Sequence, residues 1–161
     1  MAAEFEEKHQ FPLPNMEVYH TERFGQNSGF KYEVPVTEDG TYTLILKFSE
    51  VYFQEPGQKI FDVKLGNIKV VHDLDIFGKV YSRGIPYDEF VEFQVKNGKV
   101  IYKGSEVSGA LSNGKLLVDF AVGKSDNPKL NALLLVKGSR SSTHYDNFRK
   151  YMKALEDIKD Q

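Results

Sequence analysis

Cysteine is absent from this 161-residue chain. That absence removes a disulfide framework, a thiolate nucleophile and every cysteine-based zinc site. Such a composition fits a reducing compartment and directs the expectation toward the cytoplasm. The opening stretch from Met1 to Lys8 is acidic and has no apolar h-region, so it does not read as a signal peptide. No apolar run approaches the ~20 residues that span a bilayer, which argues against membrane insertion. An excess of one charge is lacking too. The chain has 21 Lys and Arg against 23 Asp and Glu, for a net charge of −2. Nucleic-acid binders gather a basic excess on one face, so no nucleic-acid partner is expected.

Catalytic and metal signatures are equally scarce. His9, His20, His72 and His144 are scattered, with no ligand spacing such as i, i+4 on a helix. Asp73 and Asp75 flank Leu74 and could share a strand face to hold a hard cation. Calcium, however, takes six or more oxygens, and two carboxylates at a strand end more simply satisfy loop amides. No metal and no cofactor is expected. There is no G-x-S-x-G elbow. Glu50, Glu55, Asp75 and Asp88 are acids by type only, and no spacing marks a glycosidase pair. Gly104, Gly109 and Gly114 are spaced by β-turns rather than by a phosphate-binding strand-to-helix turn. The chain reads as a binder, not an enzyme. A hydrolase using Glu50 with Asp75 or Asp126 is the remote alternative.

What is present is a core. Hydrophobic residues make up 40% of the chain and aromatics 13%, enough for one domain without staples. From residue 30 to 137 short strands alternate with turns. In Thr41–Phe48, Tyr42, Leu44, Leu46 and Phe48 recur at period two against Thr41, Thr43 and Lys47. Phe61, Val63 and Leu65 form an inward set, and Gly66-Asn67 turns that run into Ile68–Leu74 as a hairpin. Val91, Phe93 and Val95 alternate with polar residues, and Asn97-Gly98 leads to a further strand. Asn113-Gly114 introduces Leu116, Val118 and Phe120. Ala132–Val136 is apolar on both faces, which predicts a central strand. About eight strands with regular turns predict an all-β sandwich or barrel.

The ends differ. Residues 1–20, with Pro12 and Pro14, read as an N-terminal arm, residues 21–138 as the β domain, and residues 139–161 as a linker and a short C-terminal helix. Phe148, Tyr151, Leu155 and Ile158 mark one helical face. Thr143 and Asp146 suggest its capping pair. That face either packs on its own domain or begins a coiled coil, with self-association or a protein partner as the consequence.

Aromatic residues in a turn region are the distinctive feature. Tyr52 and Phe53 precede Gln54-Glu55-Pro56-Gly57, and two adjacent rings on extended backbone cannot both enter the core. Exposed rings can stack on the apolar faces of pyranose sugars while carboxylates and amides take the hydroxyls. The alternative is a loop plug. Asp126, alone in Lys124–Lys129, more simply caps its own turn.

Leu46–Phe53, Lys59–Val63, Asp73–Phe77 and Asp126–Lys129 resemble, in that order, the malectin domain, over about Thr21 to Gly138. The resemblance implies a jelly-roll-like antiparallel β-sandwich. It also implies a carbohydrate-binding role, the animal member being an endoplasmic-reticulum lectin for α-linked glucose on N-glycans. Tyr52 and Phe53 would be the sugar-contacting pair and Asp126 the carboxylate. Phe24 stands where the family carries a tyrosine, keeping a stacking face without the hydroxyl. Residues 1–20 show no match to the family's opening strand. With no cysteine and a helical tail, the sub-branch pointed to is the cytosolic, cytoskeleton-associated domain of a kinesin-like motor. In that case the fold would serve protein interaction or targeting. The lumen of the endoplasmic reticulum is the alternative location.

Overall fold

Period-two alternation builds two antiparallel sheets in the computed structural model of the chain, which describes residues 16–140 and 143–160. A 3-10 helix, Met16–His20, precedes β1 (Arg23–Phe24), β2 (Phe30–Pro35), β3 (Gly40–Ser49), β4 (Ile60–Leu65) and β5 (Ile68–Leu74). After α1 (Ile76–Val80) come β6 (Pro86–Lys96), β7 (Lys99–Tyr102), β8 (Ser105–Val107) and β9 (Leu111–Ser112). The last elements are β10 (Lys115–Ser125), β11 (Lys129–Leu130), β12 (Ala132–Lys137) and α2 (Thr143–Lys159). One sheet runs β2-β10-β4-β5 with β9 also on β10, the other β12-β3-β6-β7-β8, and β1 pairs with β11. The result is a jelly-roll-like sandwich. The strands missing from the expected eight are two or three residues long, too short to show a period.

The inward sets meet as the alternation requires. Leu44, Leu46 and Phe48 from β3 face Phe61, Val63 and Leu65 of β4 and Leu116, Val118 and Phe120 of β10, all fully buried. Phe120 stacks on Phe30 at 4.8 Å between ring centroids, and Phe48 meets Phe61 edge-on at 5.7 Å. Both expected hairpins form, β4 with β5 and β6 with β7. At the second, Asn97 (φ +51°) and Gly98 (φ +70°) take the left-handed pair that a two-residue turn needs.

Ala132–Val136 corrects one expectation. It forms β12 at the edge of its sheet, half-buried on both faces. The strand buried on both faces is β3, where Thr43, Ile45, Lys47 and Ser49 are also covered. Two elements outside the sandwich pack beside it, the first on β3 and the second on its neighbour β6. The 3-10 helix inserts Tyr19, whose hydroxyl donates to Asp88 Oδ1 at 2.5 Å. Lys47, the cross-strand partner of Asp88, bonds its Oδ2 at 2.8 Å and the Tyr19 oxygen at 2.9 Å. The second is α2. Phe148 packs on Tyr87 and Phe90, Tyr145 on Phe90, and the Tyr151 hydroxyl donates to the Pro86 carbonyl at 2.9 Å. The a/d-like face therefore packs on its own domain rather than opening a coiled coil. Thr143 is the first helical residue instead of its cap. Residues 1–15 of the expected arm, and Ser141 and Ser142 of the linker, lie outside the described residues.

Candidate functional site

At its C-terminal end β3 passes into the aromatic loop, and Glu50 organises the exit. Its side chain is almost wholly buried (1% exposed), and Oε1 accepts from Tyr52 N at 2.8 Å and Phe53 N at 3.2 Å. The Glu50 carbonyl accepts from Gly84 N at 2.7 Å, which ties the α1–β6 connection to the same point. Further along, Gln58 Oε1 accepts from Gln54 N and Glu55 N, both at 3.0 Å, and Asp75 Oδ2 from Gly57 N at 2.6 Å. The loop has no regular structure, yet its amides are held by side chains. Replacing Glu50 with alanine would leave two amides without their acceptor. A loss of about 1–3 kcal/mol in urea unfolding is expected, with faster hydrogen exchange at Tyr52 and Phe53.

On this frame Tyr52 projects outward, 76% exposed, and Phe53 is half-buried. Their rings meet edge-on, 5.0 Å apart at 90°. Lys59 also meets the Phe53 ring, its Nζ 5.5 Å from that ring's centroid. The largely buried Lys59 ammonium forms an ion pair with the Asp126 carboxylate and donates to the Asn127 carbonyl at 2.7 Å. Asp126 adopts φ +55° in its turn, and its side chain stays 35% exposed. A bulge in β10 between Val122 and Ser125 delivers the chain to this turn. Gly123 makes the bulge possible, because a Cβ there would lie 2.4 Å from the Ile60 carbonyl oxygen.

Phe24 reaches the same end of the sandwich through β1, which pairs with β11 just beyond the Asp126 turn. Phe24 is the register partner of Lys129, and Gly25 N donates to the Pro128 carbonyl at 2.9 Å. Its ring is 55% exposed. Lys129, fully buried, binds the Glu22 carboxylate and the Ser49 carbonyl. Asn131 Oδ1 accepts from Ser49 N at 2.8 Å, and its amide donates to the Thr21 carbonyl at 2.9 Å. Tyr52, Phe53 and Asp126 are thus linked through Lys59, and Phe24 stands on the strand beside the Asp126 turn. An open groove of about 650 Å³ flanks the aromatic pair, lined by Val51, Tyr52, Phe53, Glu55, Gln58 and Arg83 among others. Asp126 and Lys59 lie outside it.

Sequence reading missed Lys59, Arg83 and the structural use of Glu50. Lys59 does sit within the quoted Lys59–Val63 segment, but a lysine before an apolar strand gives no sign that it will be buried. Asp75 accepts from Gly78 N at 2.9 Å as the cap of α1, and Asp73 pairs with Lys124. Backbone and lysine contacts therefore engage the acids once weighed as a cation pair. Among the described residues no three His, Asp or Glu side chains group as metal ligands. No helix among them is long and apolar enough to cross a membrane.

The chain is thus a two-sheet antiparallel sandwich that presents a side-chain-braced aromatic loop at one end of β3. The family model described as the malectin domain matches residues 3–133, and the chain belongs to that family. Malectin of Danio rerio is 48% identical over 121 residues, covering 75% of this chain and 41% of that protein. Malectin of Homo sapiens is 44% identical over 122 residues, covering 76% of this chain and 40% of that protein. The chain thus spans about two fifths of the length of the curated relatives it matches. Among solved structures, the ANXUR2 extracellular domain from Arabidopsis thaliana superposes with a TM-score of 0.62 at 22% identity. It covers 80% of this chain and 35% of that one, a likeness of fold. The family match begins at residue 3, upstream of the Thr21 start of the resemblance. These relatives give no support to a kinesin-like, cytoskeletal reading or to a cytoplasmic location.

Proposed function

We propose that this domain is a non-catalytic carbohydrate-binding module that holds a glucose-containing oligosaccharide against Tyr52 and Phe53. Asp126 accepts sugar hydroxyls, and Phe24 offers a further apolar face. The observation that carries this reading is the outward Tyr52 ring, set edge-on to Phe53 and joined through Lys59 to an accessible carboxylate. Two rings at right angles form an apolar corner against which the C–H face of a pyranose can lie. A carboxylate has more lone pairs than one ammonium uses, so Asp126 can accept hydroxyls while bound to Lys59. Malectin relatives at 43–48% identity support the same ligand class. They also favour the lumen of the endoplasmic reticulum, the family's implied location, over the cytoplasm. Of the acids in the hydrolase alternative, Glu50 and Asp75 hold backbone amides and Asp126 is ion-paired with Lys59.

Isothermal titration with maltose and nigerose tests the reading. The intact domain should bind at least one of them saturably. Tyr52→Ala should weaken binding about tenfold or more, since losing ~60 Å² of apolar contact at ~25 cal/mol/Å² is about 1.5 kcal/mol. Thermal unfolding of that variant should be unchanged, because the ring is exposed. Asp126→Ala should weaken binding as well. No heat at millimolar sugar with the intact domain would remove the carbohydrate reading.

A further inference from the structure

The proposed function uses Lys59 and Asp126, which lie outside the groove beside the aromatic pair. Tyr52 and Phe53 form one wall of that ~650 Å³ groove, which falls within the ~300–1,000 Å³ of small-ligand sites. Arg83 lines that groove from the α1–β6 connection and Glu55 from the aromatic loop. Both side chains are exposed, and among the described residues neither forms a hydrogen bond or ion pair. Both walls are fixed at one residue. Glu50 holds the Tyr52 and Phe53 amides with its carboxylate and the Gly84 amide, next to Arg83, with its carbonyl. The groove is therefore preorganised, and its two charged groups are free.

We infer that this groove is a further sugar subsite, in which Arg83 donates to and Glu55 accepts from the hydroxyls of the neutral pyranose that follows a disaccharide stacked on Tyr52. The inference rests on the carbohydrate reading above and extends it from Asp126 to Arg83. Neutrality follows from the pair of opposite charges. An anionic substituent would gain Arg83 but be repelled by Glu55, and a cationic one the reverse, so neither charge is favoured, whereas hydroxyls donate to Glu55 and accept from Arg83. A guanidinium also presents a planar fork of donors that matches two neighbouring oxygens, which an ammonium cannot do.

Titration of the full chain with maltose, maltotriose and maltotetraose provides the test. The intact protein should bind the tri- or tetrasaccharide about tenfold more tightly than maltose, the scale of a charge-assisted hydrogen bond to one added ring. In Arg83→Ala that gain should fall to within about twofold, and Arg83→Lys should restore only part of it. Arg83 is exposed and makes no contact that folding needs, so an unchanged melting temperature checks the variants. Equal affinity of the intact protein for short and long ligands would overturn the subsite while leaving the carbohydrate reading intact. So would a length gain that survives in Arg83→Ala. A uronate-ended trisaccharide binding more tightly than maltotriose would overturn the neutral assignment. If none of the series binds, the inference falls together with the reading beneath it.

Discussion

Replacing Lys47 with methionine is expected to remove about 3–5 kcal/mol of folding stability at pH 7, measured by urea unfolding. Lys47 and Asp88 are cross-strand neighbours with side chains 3% and 2% exposed, and Tyr19 closes the group. Methionine matches the apolar stem, so the loss comes from a buried carboxylate left without its cation. Burial pushes the Asp88 carboxyl above the usual aspartate range, and the Lys47 charge with hydrogen bonds from Lys47 and Tyr19 offsets that only in part. Without Lys47 the carboxyl should rise further. An acid whose pKa is raised by folding contributes stability that is present below its unfolded value and lost as pH rises through the folded one. The deficit of Lys47→Met should therefore be largest at neutral pH and should shrink as the solution is acidified. Adding Asp88→Leu should recover most of it. A pH-independent deficit under 1 kcal/mol would show that the group is not buried as described.

A change of similar size is expected in the core beneath the site. Phe61 is fully buried in β4, packs edge-on against Phe48, and pairs in register with Val122 and Leu74. Phe61→Ala should cost about 3–5 kcal/mol, combining lost transfer energy with an unfilled cavity. Phe61→Leu should stay near 1–1.5 kcal/mol because it keeps most of the volume. The position also bears on the site. Lys59 lies two residues before Phe61, and Glu50 two residues after Phe48. A cavity here would loosen both anchors of the aromatic loop. Sugar affinity in Phe61→Ala should consequently fall before the domain unfolds, which titration below the unfolding transition can detect. Unchanged affinity in a folded but weakened protein would separate the loop from the core.

The sandwich was legible wherever one face of a strand met water. Phe61, Val63 and Leu65, or Val91, Phe93 and Val95, alternate with polar residues, and Asn97-Gly98 has few backbone options. Legibility failed where a third layer intervenes. Thr43 and Lys47 look like a solvent face, but they are buried, and their partners lie far away in sequence: Tyr19 for Lys47 and the Gly138 carbonyl for Thr43. The apolar run in β12 pointed to a central strand for the same reason, since local pattern reports hydrophobicity and not sheet order. At the site, the loop position of Tyr52 and Phe53 and the turn at Asp126 were readable from composition and punctuation. Their connection through Lys59 was not, because only tertiary geometry brings a β4 lysine between a ring and a carboxylate.

The helix that packs on β6 shelters more than apolar surface. His144 and Tyr151 of α2 lie within electrostatic range of the Tyr19, Lys47 and Asp88 group. When α2 lifts away, Phe148 and Tyr151 lose their packing, but the ion pair beneath regains hydration. These contributions have opposite signs. The helix is therefore held more loosely than its aromatic footprint alone would imply.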